Sequence, residues 1–155
     1  MTTKKNSRKQ LTPARRGVVP PEDACPSCGT LMKETRGMLR VPVNGEEISV
    51  PNAAHLRCPK CQEVVLRLDE ARRLNEDALA HYRKRHRLLS ANEIRAIRKH
   101  FNLTQRDLAR ILRLGGNTIS RWEAGRNVQT AAMDVLLRLI RDLPGSFEYL
   151  RDHAA

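Results

Sequence analysis

Residues 102–125 read NLTQRDLARILRLGGNTISRWEAG, a pattern that predicts two short helices joined by a tight turn. Thr104 is positioned to cap the first helix, with Asp107 three residues on to complete a capping box. Leu108, Ile111 and Leu112 then recur at helical spacing. Gly115-Gly116 is the expected break, because glycine accepts positive φ without steric penalty. The second helix is expected to start near Asn117 and to end at Gly125, a favourable residue just past a helix C-terminus. Ile119 and Trp122 face one way, and Trp122 is expected in the core. Asn117 and Arg121, four apart, share another face. A helix-turn-helix sets its second helix in the DNA major groove, with its N-terminal residues on the base edges. Asn pairs with adenine there and Arg with guanine, so Asn117 and Arg121 are the candidate base readers. Gln105, beside the cap, is either a phosphate donor at a helix N-terminus or a solvated glutamine. An ordinary αα-hairpin is the competing reading. The coincidence of cap, glycine turn, polar N-terminal face and positive charge weighs against it.

Further helices flank this stretch. Ser90 and Glu93 form a second capping box before ANEIRAIRKHF, whose core face is Ile94, Ile97 and Phe101. After Gly125, Thr130 caps TAAMDVLLRLIRDL, which carries more apolar residues than one face can hold. The surplus either stays inside the domain or meets a twin across a two-fold axis. Pro144-Gly145 stops that helix, and Ser146, Phe147, Tyr149 and Leu150 suggest a short last one. Upstream, Asp69 is the expected cap of a helix reaching about His86, with Ala71, Leu74, Ala78 and Tyr82 on one face. Its basic end, HYRKRHR, is either a linker near a DNA backbone or a solvated helix end.

The other strong signal is a doubled C-x-x-C. Cys25-Pro-Ser-Cys28-Gly29 and Cys58-Pro-Lys-Cys61 each resemble a knuckle, a tight turn presenting two thiolates to one metal. Two such turns complete a closed tetrahedral shell around Zn²⁺, with no open position for substrate, so one structural zinc per chain is expected on Cys25, Cys28, Cys58 and Cys61. A redox dithiol is the alternative, disfavoured by the doubling and by the lack of a βαβ pattern. His55 either replaces a thiolate or is a surface histidine on a strand. The 29 residues between the pairs must form their own structure. Met38 to Val50 reads as a hairpin turning at Asn44-Gly45, which pairs Val41 with Ile48 and Leu39 with Val50 on one buried face. Pro42 confines its strand to an edge or a bulge. Residues 62–68 suggest a final strand.

Composition frames these motifs. The chain has 155 residues, with 29 Lys+Arg against 17 Asp+Glu and a formal charge of +12, which suggests a polyanionic partner. Only five residues are aromatic, which argues against stacking platforms for single-stranded nucleic acid. No apolar run approaches the ~20 residues of a bilayer span, and the basic N-terminus lacks the apolar core of a secretory signal. A cytoplasmic protein without membrane contact is expected, and in that reducing compartment cysteines serve as metal ligands more often than as disulfides.

The order of the modules is the specific feature. A CPxCG…CPxCQE zinc module followed by LTQRDLARIL…GGNTISRWEAG resembles the MqsA family of antitoxins, over roughly residues 25–150. The resemblance implies a zinc module that binds a partner toxin, an mRNA-cleaving ribonuclease. It also implies a C-terminal domain that forms a homodimer and represses its own operon at a palindromic promoter operator in double-stranded DNA. The family's base readers fall on Asn117 and Arg121, and its N-x-x-S-R serine falls on Ser120, a phosphate contact. Gln105 and Thr118 join Ser120 as the expected phosphate contacts. The family's zinc thiolates fall on the four cysteines. No enzymatic activity is implied, and the sequence offers no nucleophile–base constellation. A stand-alone zinc-containing transcriptional regulator without a toxin is the alternative. The expected fold is α+β: a small Cys₄ zinc-binding module containing a β-hairpin, then an all-α helix-turn-helix domain of about five helices. The expected divisions are a disordered basic tail over 1–24, the zinc module over 25–68, a linker helix over 69–89, and a DNA-binding and dimerisation domain over 90–155.

Overall fold

The structure, a computed structural model, describes residues 23–153; the basic tail expected over 1–24 lies almost wholly outside the described residues. Its last two positions are structured. Asp23 pairs with Arg67 at 3.0 Å, and Ala24 bridges to Leu31. A long hairpin comes first, formed by β1 (Lys33–Val43) and β2 (Glu46–Arg57), and a two-residue β3 (Val64–Val65) extends it in the order β1-β2-β3. Six helices follow: α1 (Leu68–Arg85), α2 (Ala91–His100), α3 (Gln105–Ile111), α4 (Thr118–Glu123), α5 (Ala131–Asp142) and α6 (Ser146–Asp152). The fold is α+β.

The hairpin turns where two residues tolerate positive φ, Asn44 at +49° and Gly45 at +82°. That turn fixes the register, and Val41 faces Ile48 while Leu39 faces Val50. Pro42 lies on the edge strand, where its missing N–H costs no ladder bond. The register slips between Gly37 and Leu39, opposite Asn52 at φ +56°. β3 is far shorter than the strand expected over 62–68. Cys61 and Gln62 are spent on the second knuckle, and Arg67 is pulled out of the sheet by Asp23 and Glu34.

That anchoring also moves the start of α1. Arg67, not Asp69, is its N-cap, and the Glu70 carboxylate accepts the Arg67 N–H at 2.8 Å. Asp69 sits one residue inside the first turn, where its charge favours the helix dipole. The helix expected as a linker packs on the sheet. Leu74, Ala78 and Leu79 are buried with Val43, Ile48, Val50, Ala53 and Val128.

The helical half has its own core of Leu89, Ile94, Ile97, Leu108, Leu112, Ile119, Trp122, Leu137, Ile140 and Phe147. The three expected caps form: Ser90, Thr104 and Thr130 each accept a backbone N–H three residues on. The break after α3 differs from expectation. The left-handed residue is Arg113, at φ +53°, and neither Gly115 nor Gly116 has positive φ. Leu114 N–H bonds to Ala109 O and Arg113 N–H to Arg110 O, a Schellman closure with an arginine in the glycine position.

Candidate metal centre and nucleic-acid interface

The two knuckles are built alike. Gly29 N–H bonds to Cys25 O at 2.8 Å, and Gln62 N–H to Cys58 O at 3.0 Å. The residue after each second cysteine is left-handed, Gly29 at φ +72° and Gln62 at φ +64°. Both turns therefore aim two thiols at one point. Cys25 Sγ lies 3.5 Å from Cys61 Sγ, and Cys28 Sγ 3.5 Å from Cys58 Sγ. All four sulfurs fall within 4.8 Å of one another. Four sulfurs set tetrahedrally about 2.3 Å from a metal lie about 3.8 Å apart, so the cluster fits one ion with a closed shell. The Thr30 hydroxyl and backbone draw the Cys28 thiol down to about 6. The Glu63 backbone favours the Cys61 thiolate, but the neighbouring thiols and burial outweigh it and push Cys61 up to about 12. Thiols crowded in this way resist joint ionisation until a cation neutralises them, so metal uptake releases protons. His55 is not a surface residue as expected. It is 1% exposed, its Nδ1 lies 3.0 Å from Ala53 O, and it stands outside the sulfur cluster.

The second site is α4. Ile119 and Trp122 bury one side of the helix. Gly125, at φ +71°, ends it, with Arg126 N–H on Arg121 O and Gly125 N–H on Trp122 O. Asn117, the N-cap, and Arg121 are both exposed, and among the described residues neither side chain makes a hydrogen bond or ion pair. Ser120 Oγ donates to Asn117 O at 2.9 Å, and Thr118 is half-buried. Gln105 is neither free nor simply solvated, because its Nε2 donates to Glu123 Oε2 at 2.9 Å.

Glu123 was not singled out from the sequence, yet it fastens α4 to its neighbours. It is 3% exposed. Arg98 of α2 grips both of its oxygens, Nε to Oε1 at 2.6 Å and Nη2 to Oε2 at 2.9 Å. Arg95 donates to its backbone carbonyl at 2.8 Å. Burial alone would raise its carboxyl, but Arg98 and Gln105 hold it below the ordinary carboxylate range. A usable signal was present: Glu123 follows Ile119 by four residues, which puts a charge on the apolar stripe. Arg98 stands in the same relation to Ile94. A second buried polar group, Asp134, accepts Leu89 N–H at 2.7 Å, Gln129 Nε2 at 3.0 Å and Arg138 Nε at 2.7 Å.

The sequence also matches known proteins. A family model described as the antitoxin component of a bacterial toxin-antitoxin system, MqsA, matches residues 23–151. Antitoxin HigA-2 of Vibrio cholerae serotype O1 is 31% identical over 64 residues, 41% of this chain and 62% of that protein. The chain thus spans less than two-thirds of that relative's length. The match begins at the residue that anchors the first knuckle and runs into the last helix, so it takes in both sites: the chain belongs to the MqsA family, the antitoxin component of bacterial toxin-antitoxin systems.

Proposed function

We propose that this antitoxin binds double-stranded DNA through α4, represses its own operon, and neutralises a ribonuclease-type toxin through its metal-bearing half. The observation that carries the DNA reading is the state of Asn117 and Arg121. A carboxamide and a guanidinium stand on the outer face of a helix whose inner face is buried, and neither is spent on the protein itself. Arg bidentate to guanine and Asn to adenine each discriminate by roughly 1–3 kcal/mol. Ser120, Thr118 and the nearby arginines supply phosphate contacts, so binding weakens steeply with salt. Gln105 reaches a phosphate only if its amide keeps one N–H for Glu123 and offers the other.

A homodimer suits this reading. Leu139, Leu143 and Tyr149 are exposed around a groove also lined by Leu136, Pro144 and Leu150, on α5, α6 and the turn between them. Closing two such faces would leave two α4 helices to meet half-sites about 34 Å apart, hence a palindrome. The metal is Zn²⁺, one per chain and structural, since four thiolates leave no coordination position open. No helix of the described residues is long and apolar enough to cross a membrane, and a cytoplasmic location fits free thiols used as ligands.

The test is a gel shift on DNA from upstream of the protein's own coding sequence. Arg121→Ala is expected to lose preference for that DNA over a scrambled duplex by about tenfold or more. Retention of the full preference would remove Arg121 from base reading. Co-purification with the product of the adjacent gene tests the toxin arm.

A further inference from the structure

The last turn of α1 lies against the end of α4, and one side chain makes the join. Arg83 is 5% exposed. Its Nη2 donates to Trp122 O at 3.0 Å and to Asn127 O at 2.6 Å. Trp122 O is the same carbonyl that accepts Gly125 N–H where α4 closes, and Asn127 lies midway along the loop that leads to α5. The Arg83 Nε–H is buried and has no partner among the described residues. Burial, with no opposing carboxylate, lowers the pKa of the group.

A buried cation held only by carbonyls is a costly way to fill space. The negative end of α4 offsets part of that cost, since cations are favoured at helix C-termini. An apolar side chain of similar length would bury more cheaply there. What the guanidinium adds is geometry: one nitrogen ties the last turn of α4 to the loop beyond it. The neighbours reinforce the join. Val128 is buried in the sheet-side cluster with Leu74 and Ala78, and Gln129 Nε2 donates to Leu89 O at 2.7 Å. Leu79, one turn before Arg83, belongs to that same cluster, so Arg83 projects from a helix already seated on the hairpin.

We propose that Arg83 is a positioning residue for DNA recognition: from the sheet-bearing half, it holds the C-terminal end of α4 at the angle that sets Asn117 and Arg121 in register with the bases. This rests on α4 reading DNA. Arg83 touches no nucleic acid itself. Its main effect is on sequence discrimination: Thr118 and Ser120 ride on α4 as well, but the bulk of phosphate affinity comes from exposed cations outside α4, which it does not position.

The experiment selects a preferred duplex from a randomised library with the full-length wild-type chain. Arg83→Met, Arg83→Lys and Arg121→Ala are then titrated on that duplex and on a scrambled one. A smaller folded fraction scales both affinities equally, so the ratio between them isolates orientation from stability. Arg83→Met is expected to stay folded with its metal bound and to lose about tenfold of the ratio, the loss expected of one misaligned base contact. Its affinity for the scrambled duplex and its salt dependence are expected to match wild type. Arg83→Lys, which keeps the stem and one donor, is expected to recover part of the ratio. An unchanged ratio in folded Arg83→Met, with Arg121→Ala impaired, overturns the positioning role alone. Failure of both Arg83 variants to fold assigns the residue to folding and overturns it too. If the wild type selects no sequence, the DNA reading falls and takes this proposal with it.

Discussion

Buried charge decides much at the level of single side chains. Glu93, Asp107, Glu123 and Asp134 all titrate below their ordinary values in the folded chain. The causes differ. The backbone N–H of Ser90 holds Glu93 down, and the Thr104 hydroxyl does so for Asp107. Burial works against Glu123 and Asp134, and Arg98 and Arg138 overcome it. A carboxyl depressed by folding adds stability that is fully present above its unfolded pKa and is lost as pH falls through its folded one. Urea unfolding of the helical half, followed by the fluorescence of its single tryptophan, Trp122, is therefore expected to show constant stability from neutral pH to about 5 and a decline below it. Glu123→Gln is expected to lower stability at neutral pH, because Arg98 loses its counter-charge, and to flatten the acid decline. An acid limb as steep as that of the wild type would mean that Glu123 is not among the groups responsible.

Among the secondary-structure elements, helix ends separate what was legible in the sequence from what was not. α1, α2, α3 and α4 all close with the same pair of backbone bonds around a left-handed residue: Arg87, Asn102, Arg113 and Gly125. Only Gly125 announces its left-handed turn by residue type; the ends of α1 near His86, α2 near Phe101 and α5 before Pro144 were placed from the sequence, but not the backbone geometry that closes α1 and α2. Starts fared better. Ser90, Thr104 and Thr130 cap through their own side chains, a local chemistry visible in sequence. Arg67 caps α1 because Asp23 and Glu34 hold it from far along the chain, and no local pattern encodes that. The same division holds at the two sites. Cysteine spacing and the Asn44-Gly45 turn were sufficient for the sulfur cluster and the hairpin register. The partners of Gln105, Arg83 and Glu123 depend on helix packing and were not. Two substitutions test the helix-end argument by thermal melting. Gly125→Ala forces a Cβ into left-handed backbone and should cost about 1 kcal/mol, whereas Arg87→Gly should gain about 0.5 kcal/mol. A neutral Gly125→Ala would show that the end of α4 relaxes without strain.

The two halves of the chain have separate cores, one built from the helices and one from the hairpin with α1, while the sulfur cluster has a third small group of Cys25, Met32, Leu56 and Cys58. That third group has too little apolar area to hold the knuckles together alone, so a metal bound by the four thiolates would supply their folding free energy. Chelation is expected to strip one ion per chain and expose the amides of the knuckles to rapid hydrogen exchange. Protection in α2 and α5 should persist, since their core shares no residue with the sulfur cluster. Loss of protection throughout would make the chain a single metal-dependent unit. This arrangement, a hairpin bearing a four-cysteine cluster and fastened through α1 to a helical domain, suits the proposed division of labour, a partner on one half and DNA on the other. The most direct measurement is a crystal structure of the chain bound to its own promoter duplex. The guanidinium of Arg121 and the carboxamide of Asn117 should lie within hydrogen-bonding distance of base edges in the major groove, and α4 turned away from the bases would contradict the reading.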